Sequence, residues 1–371
     1  MMRINRTRGV VGLCAVSILH STTEAQGGGS TRVRVPVVDL REKISSVLKM
    51  QGHIATDAAV ITDVLMYAEL RGNNQGIMKL IAGDLKPNKN QTSTKIVHST
   101  AVSARLDGGQ KNGMRCIREA LDLAYTIVQN HGVAVIGVSG YSSATGALGY
   151  WAREAARKGL ICFVASMCPE MVAPHGTRDA VFGTNPIAIG FPRGSHPSNS
   201  VVLDMATSSV AWYEVVRANA LGRKLSSQVG LTSEGELTDD PAEILVGGAL
   251  RTFDFGHKGS HLGLMVELLA GAWTGAAMSD KRSRENWGSI VILLDPRLLV
   301  QGEDEAGMEC LRARVEELCL RVTNARPVPG RSDPIWLPGE RGDVQEAAAL
   351  KDGAVWIERE LWENLQKAGR F

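Results

Sequence analysis

Between residues 133 and 165 the hydrophobic period switches from strand to helix and back again, and this limits the fold more than any other feature. Val133 to Val138 is a continuous apolar run of strand length, preceded by Gly132. A loop of small and polar residues follows, Ser139-Gly140-Tyr141-Ser142-Ser143-Ala144-Thr145-Gly146, and then a helical pattern from Ala147 to Lys158. Leu160 to Ala165 is strand-like again. Short apolar runs bounded by turn residues read as strands buried inside a sheet, and the helix between them as its cover. The chain is therefore expected to be α/β, with ligands at the strand ends where the polar loops lie.

The pattern extends both ways. Val38, Leu40, Ile44, Val47 and Leu48 predict a helix from Pro36 onward, and a second from Thr56, its expected N-cap, to Glu69. That helix ends at Arg71-Gly72, ahead of the polar loop Asn73-Asn74-Gln75-Gly76. A helix from Gly113 to Gln129 carries Ile117, Leu121, Ala124 and Val128, with Gly132 placed to close it. Further strands are expected at Ile187 to Phe191, Val201 to Leu203 and Trp287 to Leu294, and further helices at Val210 to Ala220, Glu303 to Thr323 and from Glu358. Leu262 to Ala272 is apolar all round, which predicts a core helix.

Charge narrows the partners. Forty-one basic against 39 acidic residues leave a formal +2, so nucleic acid and anionic membranes have no electrostatic claim. No apolar stretch approaches the ~20 residues of a membrane span. Cys14, Cys116, Cys162, Cys168, Cys310 and Cys319 form no CxxC pair, and no histidine cluster has zinc-ligand spacing, so no metal is expected. Scattered thiols read as buried residues of a reducing compartment, the cytoplasm. The N-terminus allows other destinations. Arg3, Arg6 and Arg8 precede the apolar run Val10 to Leu19, and the first acidic residue is Glu24. That pattern fits a mitochondrial-type presequence, a weak secretory signal or a disordered extension. Gly27-Gly28-Gly29-Ser30 is a flexible joint, so the fold is expected to begin near Val33.

No GxGxxG opens a helix after a strand, and no GxxxxGK[ST], GxSxG or HExxH occurs. Three polar islands in apolar context stand out instead. Gly183-Thr184-Asn185-Pro186 precedes a strand, Asp204-Met205-Ala206-Thr207-Ser208 ends one, and His257-Lys258-Gly259 opens a helix. Amide groups at a helix start, with a lysine and hydroxyls nearby, suit a pyrophosphate or a carboxylate. Asp204 and Thr207 have a structural alternative as N-caps of the next helix, and Lys258 as a solvated lysine.

Taken in order, these islands belong to a longer set of blocks: "AELRGNNQGIMKL", "GALGYWAREAARKGLI", "VAPHGTRDAVFGTNPIAIGFP", "VLDMATSSVA", "GHKGSHLGLMVELLAGAWTGA" and "LPGERG". Through them the chain resembles the malate/L-lactate dehydrogenase family, which is distinct from the Rossmann-type lactate dehydrogenases. The resemblance implies a non-Rossmann cofactor domain on a mixed sheet, at residues 107–285. It would be inserted into a helix-rich substrate and dimer domain made from both termini, residues 33–106 and 286–371, after a leader at 1–32. It implies a homodimer, a small hydroxy or keto acid as substrate, and NAD or NADP as cofactor. Cofactor contacts would fall on Asp204, Met205, Ala206, Thr207, Ser208, His257 and Lys258, with Thr184 and Asn185 as framework of the same pocket.

The chain departs from the family where protons move. The family's RGxxSHG motif aligns its histidine with Gln75, its serine with Asn74 and the later arginine with Lys79, one residue being absent. A second family histidine falls on Ala144. Reducing a ketone needs a proton donor beside the forming alkoxide. Glutamine donates a hydrogen bond but no proton at neutral pH. Lys79 would hold the substrate carboxylate as a point charge. His175, Lys258 and Tyr141 are the candidate replacement acids, with His175 preferred although it can simply pack where it stands. Two functions remain open: an oxidoreductase with rearranged acid–base groups, and a non-catalytic relative that keeps fold and cofactor pocket as a binding or regulatory protein.

Overall fold

The computed structural model describes residues 32–73, 75–194, 200–225, 228–300 and 305–368. Residues 1–31 of the expected leader, with Cys14, and Asn74 lie outside the described residues, and Arg32 already belongs to the fold. The first strand, β1 (Arg32–Pro36), leads directly into helix α1 (Val37–Met50), followed by α2 (Ala55–Leu70) and the single turn α3 (Met78–Ile81). The predicted Thr56 cap is not used, because α2 starts two residues earlier, at Ala55, and Ile54 is its N-cap without a side-chain bond. Next come β2 (Lys95–Ser99), β3 (Ser103–Asp107), α4 (Gly113–His131), β4 (Val133–Tyr141), α5 (Leu148–Arg157) and β5 (Ile161–Ser166). Asn112 caps α4 through its side chain, and Gly132 ends it at φ 73°, a left-handed conformation that glycine adopts without steric cost.

The second half holds β6 (Ile187–Pro192), β7 (Ser200–Met205), α6 (Trp212–Ala220), the short strands β8 (Gly230–Leu231) and β9 (Leu237–Thr238), α7 (Pro241–Leu245) and β10 (Ala249–Leu250). Helix α8 (His257–Val266) continues as a π-helical turn over Glu267–Ala272. Strand β11 (Trp287–Leu294), α9 (Glu305–Thr323), α10 (Glu340–Asp352), β12 (Ala354–Glu358) and α11 (Arg359–Lys367) complete the described chain. Among the described residues no helix is long and apolar enough to cross a membrane.

Seven strands form one mixed sheet in the order β2-β3-β4-β11-β5-β6-β7. Only β3 and β4 run parallel; the other neighbours are antiparallel. One face packs on α4 and α5 through Ala134, Ile136, Val138, Cys162 and Val164. The other packs on the α8 segment through Ala165, Ile187, Ile290, Val266 and Ala270. Gly288 makes that second contact possible, since a Cβ there would stand 2.1 Å from the Ala270 carbonyl oxygen. A separate two-stranded sheet joins the two ends of the described chain, Arg32 opposite Glu358 and Pro36 opposite Ala354.

Two expected domain boundaries do not divide this sheet. Strand β3 runs across the one expected between residues 106 and 107. Strand β11, expected in the C-terminal part, lies between β4 and β5, with Ser289 opposite both Val138 and Ser166. Pairing over such sequence distances decides the sheet, and no local pattern encodes it. The expected core helix at Leu262 to Ala272 also needs correction. Val266 and Ala270 are buried against the sheet, but Leu264, Met265 and Leu268 are exposed on the opposite side. Of the cysteines, Cys116, Cys162 and Cys319 are buried as expected, whereas Cys310 is exposed on α9. All five described thiols are free.

Candidate active site

The loop after α2 is folded back by its own side chains. Glu69, at the end of α2, accepts the Ile77 amide at 2.6 Å, and Asn73 Oδ1 accepts the Gln75 amide at 2.9 Å. Burial pushes the Glu69 carboxyl up to about 7. Arg71 ties the end of α2 to α10 through Asp343, Glu346 (3.0 Å) and the Gly339 carbonyl (2.7 Å). The turn α3 then points Lys79 inward, where it is 1% exposed.

Lys79 lines a cavity of about 250 Å³ assembled from five distant parts of the chain. Gln75 and Lys79 come from the first loop, Ser142 to Gly146 from the end of β4, and Cys168 and Thr184 from either side of the turn before β6. Trp212 and Tyr213 come from α6, and Arg282, Glu285 and Trp287 from the approach to β11. Gln75 Oε1 accepts a hydrogen bond from Lys79 Nζ, and the Nζ lies 3.6 Å from the centre of the Tyr213 ring. Tyr213 donates its hydroxyl to Asp84 at 2.8 Å. Among the described residues no carboxylate lies within ion-pair distance of Lys79, in contrast to Lys281, which meets Glu267 at 2.7 Å. Burial without a counter-ion pushes the Lys79 ammonium down to about 7, against the weaker opposing pull of Cys168, Asp84 and Asp204. Ala144 lines the same cavity, so both positions aligned with family histidines face one space.

The second group of expected residues forms a framework beside this cavity. Asn185 is fully buried with φ at 41°, a left-handed backbone its side chain holds in place. Its Nδ2 donates to Gly263 O (3.1 Å) and to Glu267 Oε1 (2.9 Å). Glu267 Oε1 also accepts from Gly183 N and Lys281 Nζ. Thr207 donates its amide (2.9 Å) and its hydroxyl (3.2 Å) to the Thr184 carbonyl, and Ser208 bridges to Thr252. The "GTNP" turn, the "DMATS" strand end carrying Met205 and Ala206, and α8 are thus knitted together. Asp204 and Thr207 do not cap the next helix, whose N-cap is Ala211 without a side-chain bond. Asp204 Oδ2 instead accepts the Gly149 amide in the first turn of α5 at 2.8 Å.

His257 and Lys258 are exposed in the first turn of α8, whose N-cap is Gly256; Asp254 accepts the Gly256 amide at 3.0 Å. His175 is also exposed and stands 6.5 Å from His257, ring to ring, and the His261 ring lies 5.5 Å from that of His257. A second cavity, of about 480 Å³, is lined here by His175, Arg178, Arg251, Thr252 and Phe255. The Asp254 carboxylate takes the Gly256 and Gly259 amides at this helix start, and the imidazoles, Lys258 and the two guanidiniums around it are a donor set that suits the pyrophosphate of a nicotinamide dinucleotide.

The structure therefore brings Gln75, Lys79 and Thr184 together in one cavity and leaves His175 out of it, on the lining of the other and 6.5 Å from His257, ring to ring. Tyr141 is also excluded as a proton donor. It is fully buried, burial pushes its hydroxyl upward, and it is bonded to Ser289. Cys168, Asp84, Tyr213 and Arg282 line the cavity without having been singled out in the sequence. Trp212-Tyr213 follows the "DMATSSVA" block closely enough to have been found; Arg282 sits in a polar stretch with no distinguishing pattern.

An α/β fold with a small polar cavity, lined by Lys79 and Arg282 and by Asp84 and Glu285, is a frame suited to an enzyme for small polar substrates. More narrowly, the chain belongs to the malate/L-lactate dehydrogenase family, whose model matches residues 35–366. Malate dehydrogenase of Pyrococcus abyssi is 29% identical over 351 residues, covering 91% of this chain and 94% of that one. The Delta(1)-pyrroline-2-carboxylate/Delta(1)-piperideine-2-carboxylate reductase of Pseudomonas syringae pv. tomato is 33% identical over 276 residues, covering 72% and 75%. Among solved structures, a dehydrogenase from Sinorhizobium meliloti aligns with a TM-score of 0.79 at 27% identity, covering 92% of this chain and 99% of that one.

Proposed function

We propose that the chain is a nicotinamide-dependent oxidoreductase that interconverts a 2-hydroxy acid and a 2-keto acid in the cavity around Lys79. The observation that carries this reading is a buried amine with no ion-pair partner among the described residues, on the lining of a cavity of about 250 Å³ that Arg282 also lines. A small carboxylic acid would bring a carboxylate to a lining where Lys79 has no ion-pair partner among the described residues. The names of the relatives, a malate dehydrogenase and a reductase of cyclic imino carboxylates, agree with a substrate bearing a carboxylate.

The cofactor, NAD or NADP, would be held by His257 and Lys258 in the first turn of α8. Thr184, Asn185, Asp204, Met205, Ala206, Thr207 and Ser208 would form the wall between it and the substrate. When bound, it supplies or accepts the hydride. The chain's own residues bind and orient the acid, exclude water and move the proton. A homodimer belongs to the same reading, supported by the exposed apolar side chains Leu264, Met265 and Leu268.

The test is a panel of NADH and NADPH oxidation assays with pyruvate, oxaloacetate, glyoxylate and cyclic imino acids. Turnover with at least one acid is expected. Tight cofactor binding with no turnover across the panel would sink the enzyme reading and favour the non-catalytic one.

A further inference from the structure

A ketone reduced to an alkoxide must receive a proton, and among the described residues no imidazole lines the cavity; Gln75 and Ala144 stand where the family resemblance expects histidines. The remaining proton-bearing groups can be sorted by what they touch. Tyr213 is bonded to Asp84, and burial raises its hydroxyl well above the ordinary range. Burial also raises the Cys168 thiol. Arg282 does not release a proton at neutral pH. Lys79 is different: its amine lines the cavity, is bonded to the neutral Gln75, and lies over the Tyr213 ring without a carboxylate to hold its proton.

We propose that Lys79 is the acid–base residue of this reaction and that Arg282 holds the substrate carboxylate, an assignment that rests on the cavity being the keto-acid site. In reduction, an N–H bond of the Lys79 ammonium breaks and an O–H bond forms at the former carbonyl oxygen. A reduced nicotinamide, when bound, would supply the hydride that the carbonyl carbon takes. The neutral amine then regains its proton from water. In oxidation the amine takes the hydroxyl proton. This revises the expectation that Lys79 only anchors the carboxylate. The groups that face Lys79 are Cys168 beyond β5, Asp84 beyond α3, Asp204 on β7 and Tyr213 on α6, with Arg282 and Glu285 also lining the cavity. The three acidic groups favour its proton, but burial outweighs them, so both forms of the amine are accessible near neutrality.

Two measurements test this. Trace acylation of the cofactor-free protein across pH, read by mass spectrometry on the Lys79 peptide, should give a midpoint near 7; a midpoint at the ordinary 10.5 would overturn the assignment. Kinetics on variants that still bind reduced cofactor, checked by its fluorescence, give the second. Lys79→Arg keeps the charge but cannot release a proton, and should lose about 10²- to 10⁴-fold in kcat with a little-changed KM. Lys79→Ala should lose as much and recover with added small alkylamines. Arg282→Gln should raise the KM for the acid and leave kcat nearly intact. A Lys79→Arg enzyme within about threefold of wild-type kcat overturns the assignment and leaves the function standing. A wild-type protein that binds no nicotinamide cofactor overturns the function itself. If Lys79→Ala fails to fold, Lys79→Arg and the labelling still decide.

Discussion

Replacing Lys79 by methionine removes a charge that the fold buries without a counter-ion, and it should make the protein more stable while removing its activity. The magnitude follows from the site. The ammonium is pushed from its ordinary 10.5 down to about 7. At ~1.36 kcal/mol per pH unit, this is a penalty of about 5 kcal/mol on the charged native state. The folded protein holds this proton less tightly than the unfolded chain does. The penalty is therefore complete below about pH 7 and fades as pH rises toward 10.5. Methionine fills a similar space and does not titrate. Against the gain stand the lost contact with the Tyr213 ring, about 1–2 kcal/mol, and a Gln75 oxygen left without its donor, about 1–3 kcal/mol. The expected balance is a gain of about 0–3 kcal/mol near pH 6; near pH 10, where the folded amine is neutral and no longer a cation over the ring, a loss of about 0–2 kcal/mol is expected. Urea unfolding of both proteins at the two pH values, followed by far-UV circular dichroism, reads this directly. A stability difference that is the same at both pH values would refute the claim that Lys79 is a buried, unpaired amine.

Two other sites give independent predictions. Burial raises the Glu69 carboxyl from 4.5 to about 7, so its contribution is present below about pH 4.5 and lost as pH climbs through 7. Glu69→Gln, which keeps an oxygen for the Ile77 amide, should exceed wild type by about 1–3 kcal/mol near pH 8 and match it near pH 4.5; parallel pH–stability curves would contradict this. Lys281→Met leaves Glu267 charged and buried beneath the Asn185 turn, and should cost about 3–5 kcal/mol. Adding Glu267→Gln should recover part of that loss, and a double variant no better than the single would show that the pair is not coupled.

Much of the sheet could be read from the sequence because its strands are buried on both faces and bounded by glycines. Trp287–Leu294 was expected with the bounds it has. The strands that escaped notice lack that signature. All five residues of β2 are exposed, so its pattern carries no apolar period. Strands β1 and β12 are five residues each and pair across the length of the chain. The site was legible in pieces. The blocks around Asn185, Thr207 and His257 stood out by composition, and Gln75, Lys79 and Ala144 by comparison with a family motif. Their division into two cavities, with His175 in the second, depends on which loops meet at the sheet's edge. So does the burial of Lys79: its sequence neighbours Met78 and Leu80 hint at an interior position, but the absence of a carboxylate partner is a tertiary fact.

The central claim is that this cavity carries out hydride transfer to a keto acid. The most direct measurement uses a reduced cofactor deuterated at the transferring carbon, incubated with protein and keto acid, and follows the label by mass spectrometry. Deuterium on the carbon that bears the new hydroxyl group is the predicted result. Bound cofactor that keeps all of its label, with no labelled hydroxy acid formed from any acid of the panel, would contradict it.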